Sequence, residues 1–408
     1  MQKEKRIPNN PKPEESVILS SLASELFQRP SEFPEVTDWD AVLSESIKQA
    51  VFPLVFNTVR DRLPDDVKRK WETIFLQNVA TNIRVTAAHT DLHKVLTEHD
   101  LPYVILKGVA SSKYYPCPEL RMMGDVDFLV DSSDLERCGT ALVDHGIMRK
   151  DDGTHKYHRT YSRRSIEYEL HWVVPGTPAV GGEKIQKYCS DIIQEAVRFS
   201  GLSGDCIVPS DFHHGLILLL HTAAHLTTEG IGLRHLCDWA VFSEKLSEED
   251  FCEAFEKCLK EIGLWKLARV LTMMSAKYLG ATPKQWAAGV EDALLVSLMD
   301  DIWNGGNFGE KDPQRKAHSV LMIDAETHRI ENRGSLRALA AAVDRKAKLY
   351  HPSLANSVIL RPLAWTAVCW RYSRLTIQGK RPWMTFGRDE KIAKQRKELF
   401  SELELFEV

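Results

Sequence analysis

Met123-Gly124-Asp125-Val126-Asp127-Phe128-Leu129-Val130 places two aspartates two residues apart at the head of an apolar run. Aspartate is disfavoured inside strands, so its double appearance here asks for a reason. A period of two puts both carboxylates on one face of a strand. Two acids held that close repel each other and raise one pKa unless a cation lies between them. Mg²⁺ suits such a pair, because hard cations take oxygen ligands. By itself the pattern fits equally a strand end with two solvated acids.

Downstream, Ile166-Glu167-Tyr168-Glu169-Leu170-His171-Trp172 alternates strictly. Ile166, Tyr168, Leu170 and Trp172 share a core face, and Glu167, Glu169 and His171 share the other. A third carboxylate from a neighbouring strand would complete a cluster able to hold two metal ions. Read alone, the segment is also an ordinary half-solvated strand. Upstream, Leu101 to Leu106 reads as a short strand, followed by Lys107-Gly108-Val109-Ala110-Ser111-Ser112-Lys113 and a helical turn. Glycine lets backbone approach a ligand closely, and a helix N-terminus offers free N–H groups to phosphate. Lys107 and Lys113 add charge. Arg121, four residues before Asp125, carries a planar fork suited to phosphate oxygens, though a surface arginine would look the same.

The chain has 408 residues, long enough for two or three domains. Hydrophobic residues make up 43% and charged residues 27%, an ordinary globular composition. A formal charge of −4 argues against a protein made mainly to coat nucleic acid. None of the eight cysteines forms a C-x-x-C pair, so a thiolate zinc site is not expected. A polar opening without a secretory apolar core, together with scattered cysteines, suggests a cytoplasmic protein. No apolar run approaches the ~20 residues that span a bilayer, so no membrane partner is expected.

The pattern divides the chain into a disordered tail (1–15), a helical N-terminal region (16–98), an α/β core (99–180), a helical region beside it (181–303) and a helical C-terminal region (304–408). A helix over 65–98 starts after Pro64. Strands are expected at 101–106, 126–130, 155–164 and 166–174, with a helix over 133–145. Past Pro178 the chain reads as helical to its end, including a helix over 184–198. The expected fold is α+β, a small mixed sheet flanked by many helices.

Together the strand, the glycine turn, the D-h-D pair and the later acid resemble the polymerase-β-like nucleotidyltransferase superfamily. More closely, the chain resembles a family known as uncharacterised nucleotidyltransferases. The likeness runs from Asp38-Trp39-Asp40 through Val104–Gly108 and Arg121–Asp127 to Tyr168–Trp172. It ends near His221, His225 and Leu233–Trp239. Two departures stand out: Val109 follows Gly108 where Ser or Gly is usual, and Glu169 stands where relatives more often carry Asp.

The resemblance implies that Asp125 and Asp127 bridge two Mg²⁺ ions and the triphosphate of an NTP, with ATP as the default. Glu169 would hold the second ion and take the acceptor's proton, with Glu167 in reserve. Lys107, Gly108, Ser111, Ser112 and Arg121 would line the nucleotide site. The acceptor stays open among a small molecule, a protein hydroxyl and a nucleic-acid end. The rival readings are a non-catalytic descendant and an enzyme acting on RNA ends. On this reading, removing either aspartate relieves repulsion and leaves the free protein's stability nearly unchanged.

Three further segments carry charge. Residues 147–165 hold Arg149, Lys150, Lys156, Arg159, Arg163 and Arg164 with His155 and His158, a hairpin that could line the triphosphate or acceptor path. His221 and His225 share a helix face at zinc-ligand spacing, but without the H-E-x-x-H glutamate a packing role fits better. Arg234 and Asp238 form an expected i, i+4 pair. Lys380, Arg381, Arg388 and Lys391, with Trp383 and Phe386, read as a charged terminal helix or, less simply, as a nucleic-acid contact.

Overall fold

The computed structural model describes residues 11–33, 38–151, 157–201, 204–312, 314–315, 319, 322–324, 327–330, 335–378 and 386–407. Helix α1 (Pro13–Phe27) begins inside the stretch read as a tail. Pro13 fits the first helical position, and Glu15 reaches back to accept from the Lys12 amide at 3.0 Å. Helices α2 (Trp39–Lys48) and α3 (Phe52–Val59) follow. Helix α4 (Asp65–Glu98) then runs 34 residues, about 50 Å at 1.5 Å per residue.

The sheet comes next. Strand β1 (Tyr103–Ile105) leads through the one-turn α5 (Val109–Ser112) to β2 (Val126–Val130). Helix α6 (Leu135–Asp144), β3 (Met148–Arg149), β4 (His158–Arg163) and β5 (Ile166–His171) complete it. The spatial order is β1-β2-β5-β4-β3, with β2 and β5 parallel and the other pairs antiparallel. A parallel pair needs a long crossover, which α6, β3 and β4 supply. The architecture is α+β with a small mixed sheet, as its alternating strands implied.

One expectation fails after Pro178. The helix expected over 184–198 stops early as α7 (Glu183–Tyr188), and an antiparallel pair follows, β6 (Val197–Gly201) and β7 (Gly204–Val208). The glycines at 201 and 204 punctuate two β-prone runs there. Beyond them α8 (Asp211–Thr227) and α9 (Leu233–Glu244) pack on each other, with further helices at Trp265–Leu279 and Asp292–Gly305.

The sheet has two differently covered faces. Tyr103, Ile105, Val126, Phe128, Val130, Tyr168 and Leu170 point into one core with Val85, Leu92 and Leu96 of α4 and Leu142 of α6. Val104, Leu106 and Leu129 point the other way, into a larger core built from α1–α3, α8, α9 and the later helices. Period-two alternation makes this division. The same alternation sends Asp127, Glu169 and His171 to the helical side. The C-terminal helix Phe386–Leu403 joins that larger core through Phe400 and Leu403. Its Arg396 pairs with Asp301 at 3.2 Å. Lys380, Arg381 and Trp383 lie outside the described residues, as do His155 and Lys156.

Candidate active site

The parallel ladder sets Asp127 opposite Glu169. Asp127, at 1% exposure, is an acid in the middle of a fully buried strand. A buried carboxylate must be paired, and this one has two cationic partners. Lys107 Nζ lies 2.9 Å from its Oδ2, and His171 Nε2 lies 3.2 Å from its Oδ1. His171 Nε2 also lies 3.3 Å from Glu169 Oε2.

Burial works against charge on every member of this group, yet the mutual attraction outweighs it. Lys107 and His171 titrate above their ordinary values. Asp127 stays below its own, held there by Lys107 and His171, and Glu169 is drawn down to about 2, chiefly by His171. The group is two ionised carboxylates facing the Lys107 ammonium and an imidazole whose protonated form they favour. Oxygen and nitrogen atoms of Asp127, Glu169 and His171 all lie within 4.8 Å of one another, the one such metal-capable group among the described residues.

Asp125 and Glu167 lie just before the first ladder pair, Val126 with Tyr168, and both are exposed. The two aspartates of the D-h-D pair therefore differ in kind, since Asp127 is sealed and ion-paired while Asp125 stands at the rim of a cavity. That cavity runs from Lys107, Gly108 and Ser111 to Ile217, His221 and Thr222 of α8 and Arg234, His235 and Asp238 of α9, with Phe308 at its edge.

The turn after β1 is strained for a purpose that packing makes visible. Gly108 has φ +63 and ψ −112, a conformation open to glycine alone. A Cβ there would come within 3.0 Å of His89 Nε2. His89 donates Nδ1–H to the Val85 carbonyl at 2.8 Å, and burial lowers its pKa to about 4, so it is neutral. The helical turn expected here is α5, four residues long, too short to build a macrodipole. The amides of residues 110–113 are spent on the carbonyls of Lys107, Gly108 and Val109. Ser112 Oγ bonds the Val109 carbonyl, while Ser111 Oγ has no partner among the described residues.

Arg121 is not free to clamp a phosphate. Its Nε and Nη2 each lie 2.7 Å from an oxygen of Asp238, and its Nη1 donates to the Gly108 carbonyl at 3.3 Å. Tyr115 donates to the same carboxylate at 2.7 Å. The expected Arg234–Asp238 pair therefore does not form, because Asp238 is spent across the fold rather than along the helix. Asn82 of α4 braces this stretch, accepting from the Met123 amide at 3.0 Å and donating to the Arg121 carbonyl at 2.9 Å.

Lys107 Nζ also lies 3.2 Å from His221 Nε2, which lies 3.0 Å from His225 Nε2. Lysine can only donate, so His221 Nε2 accepts. Burial lowers the pKa of both histidines, as it does that of His235. Neutral rings beside an ammonium make a poor seat for zinc. Three of the hairpin's four arginines are also engaged: Arg149 with Asp151 at 2.8 Å, Arg159 with Glu136 at 2.5 Å, Arg163 with Asp91 at 3.8 Å.

Sequence reasoning named Lys107, Gly108, Ser111, Ser112, Arg121, Asp125, Asp127 and Glu169, and the fold gathers them at this corner except Ser112, whose hydroxyl is turned to the Val109 carbonyl and does not line the cavity. It paired Arg234 with Asp238 and placed His235 in the resembling segment without a role at the site, and it gave no role to His171, His89, Asn82 or Phe308. Of these last, only His171 carried a signal, sharing the face of Glu169; the others arrive from α4 and a distant loop.

The profile of a family described as uncharacterised nucleotidyltransferase matches residues 35–280, and the chain belongs to that family. Comparison with curated proteins finds no match.

Proposed function

We propose that the chain moves a nucleoside monophosphate from an NTP, ATP by default, to an acceptor hydroxyl in a Mg²⁺-dependent reaction that releases pyrophosphate. The pairing of Asp127 with Glu169 across parallel strands, with Asp125 at the cavity rim, carries this reading.

The donor set fits a divalent cation. Two ionised carboxylates and an imidazole converge within 4.8 Å, and hard cations favour such oxygen-rich sets. Asp127, Glu169 and a deprotonated His171 would hold Mg²⁺ there, and the ion would supply charge neutralisation for the phosphoryl oxygens. Asp125 and Asp127 hold the triphosphate side, and Glu169 the acceptor side. The His171 contact holds Glu169 ionised, which suits it as a ligand for the cation. Lys107 and His171 keep both carboxylates ionised and aimed before substrate arrives, which is preorganisation. His171 must release its proton or turn aside for the carboxylates to face an ion. Ser111 and Gly108 sit where the phosphates enter. The engaged hairpin arginines speak against a nucleic-acid track along β3 and β4.

The test supplies each NTP, labelled at the α-phosphate, with Mg²⁺ and a mixture of small hydroxyl compounds and protein. Mg²⁺-dependent label transfer that disappears in Asp125→Asn is expected. Transfer unaffected by that substitution would refute the assignment.

A further inference from the structure

Two arginines line the cavity behind the Gly108 turn, and they are not alike. Arg121 is closed off by both oxygens of Asp238. Among the described residues the Arg234 guanidinium donates to the Met122 carbonyl alone, at 3.3 Å, and it lies over the Phe308 ring at 5.3 Å. Among the described residues no carboxylate pairs with it. Burial, and then the neighbouring Arg121 charge, push its pKa below the ordinary arginine value. Asp238 and Asp125 attract it from beyond ion-pair distance, but neither bonds it, so a guanidinium set beside another cation gains from an anion that completes it.

Two further groups in the same cavity wait for partners. Ser111 Oγ and both ring nitrogens of His235 are buried without a hydrogen bond among the described residues, the two side chains at 2% and 5% exposure. Such orphaned polar atoms are rare in native interiors and ask for an unseen partner. A hydroxyl and a neutral imidazole each have a proton to donate, and Arg234 has a planar fork. Oxygen atoms of one anionic ligand satisfy all three.

We propose that Arg234, Ser111 and His235 form an anion subsite that takes the polyphosphate end of the nucleotide donor. The identity of the occupant rests on the nucleotidyl-transfer reading; the anion chemistry does not. Phosphate oxygens accept two parallel bonds from one guanidinium fork. Asp125, on the same wall, then faces the polyphosphate from the metal side. The clamp assigned to Arg121 from its sequence position thus passes to Arg234, while Arg121 positions the Gly108 turn through its bond to that carbonyl.

The experiment titrates inorganic tripolyphosphate into the full chain without metal, by calorimetry, then repeats it in the presence of ATP. Wild type binds, and ATP competes. Arg234→Gln weakens binding at least tenfold, and Arg234→Lys, which keeps the charge but not the fork, recovers part of the loss. Wild-type-like tripolyphosphate binding by Arg234→Gln, or no binding by wild type, would each overturn the proposal. Tripolyphosphate binding that ATP does not contest would overturn the donor as occupant. Label transfer by wild type in any of these cases would leave the nucleotidyl-transfer reading standing.

Discussion

At the scale of single residues, the two aspartates of the D-h-D pair divide the labour. Asp127 balances Lys107 and His171, so Asp127→Asn leaves the buried Lys107 ammonium without its carboxylate and His171 with Glu169 alone. Breaking a buried pair in this way costs about 3–5 kcal/mol. Asp125→Asn, at an exposed rim, should change stability by less than about 0.5 kcal/mol. Urea unfolding of the two variants checks this, and equal effects would contradict it. The sequence-based expectation treated both positions alike, because alternation shows which face an acid takes but not what stands opposite it.

The charges at this site also set a pH dependence. His171 titrates above 6.5 in the folded state, so its clasp is fully present below about pH 6.5 and is lost as pH rises through its raised value. Glu169 is lowered from 4.5 to about 2, so its contribution is present above about pH 4.5 and fades as pH falls toward 2. Unliganded protein should therefore lose stability on the alkaline limb, and His171→Gln should flatten that limb. A profile identical in the variant would show that His171 is uncharged.

Among elements, the ladder between β2 and β5 and the turn after β1 decide the site. Gly108→Ala forces a side chain into a left-handed backbone and to within 3.0 Å of His89. We expect a loss of about 1–3 kcal/mol together with weakened nucleotide binding, both measurable by thermal melting with and without ligand. Strands β2, β4 and β5 were legible because alternation and β-branched or aromatic residues agreed. The β6–β7 pair was missed because its runs are short, and only the glycines at 201 and 204 marked the turn. The helical turn expected after Gly108 is there, but its amides are spent on its own carbonyls rather than left free for phosphate.

For the whole molecule, the site lies where the sheet meets the helical body. One wall comes from the β1–β2 region and the other from α8 and α9. Phe308, with φ +55, reaches it from beyond the matched family span. The acids were readable from sequence because strand chemistry is local. Asp238 and Arg234 were not, because their roles depend on which of two arginines meets one carboxylate across 117 residues of chain. Among the described residues, no helix is long and apolar enough to cross a membrane.

The most direct test of the central claim titrates each of the four NTPs, with and without Mg²⁺, into wild type and Asp125→Asn, following melting temperature. A ligand that binds only the native state raises its stability with the logarithm of concentration over Kd. The account predicts a shift that requires Mg²⁺ and is lost in Asp125→Asn while the variant's own melting temperature stays near wild type. A nucleotide shift that is equal without Mg²⁺ and unchanged in Asp125→Asn would contradict it.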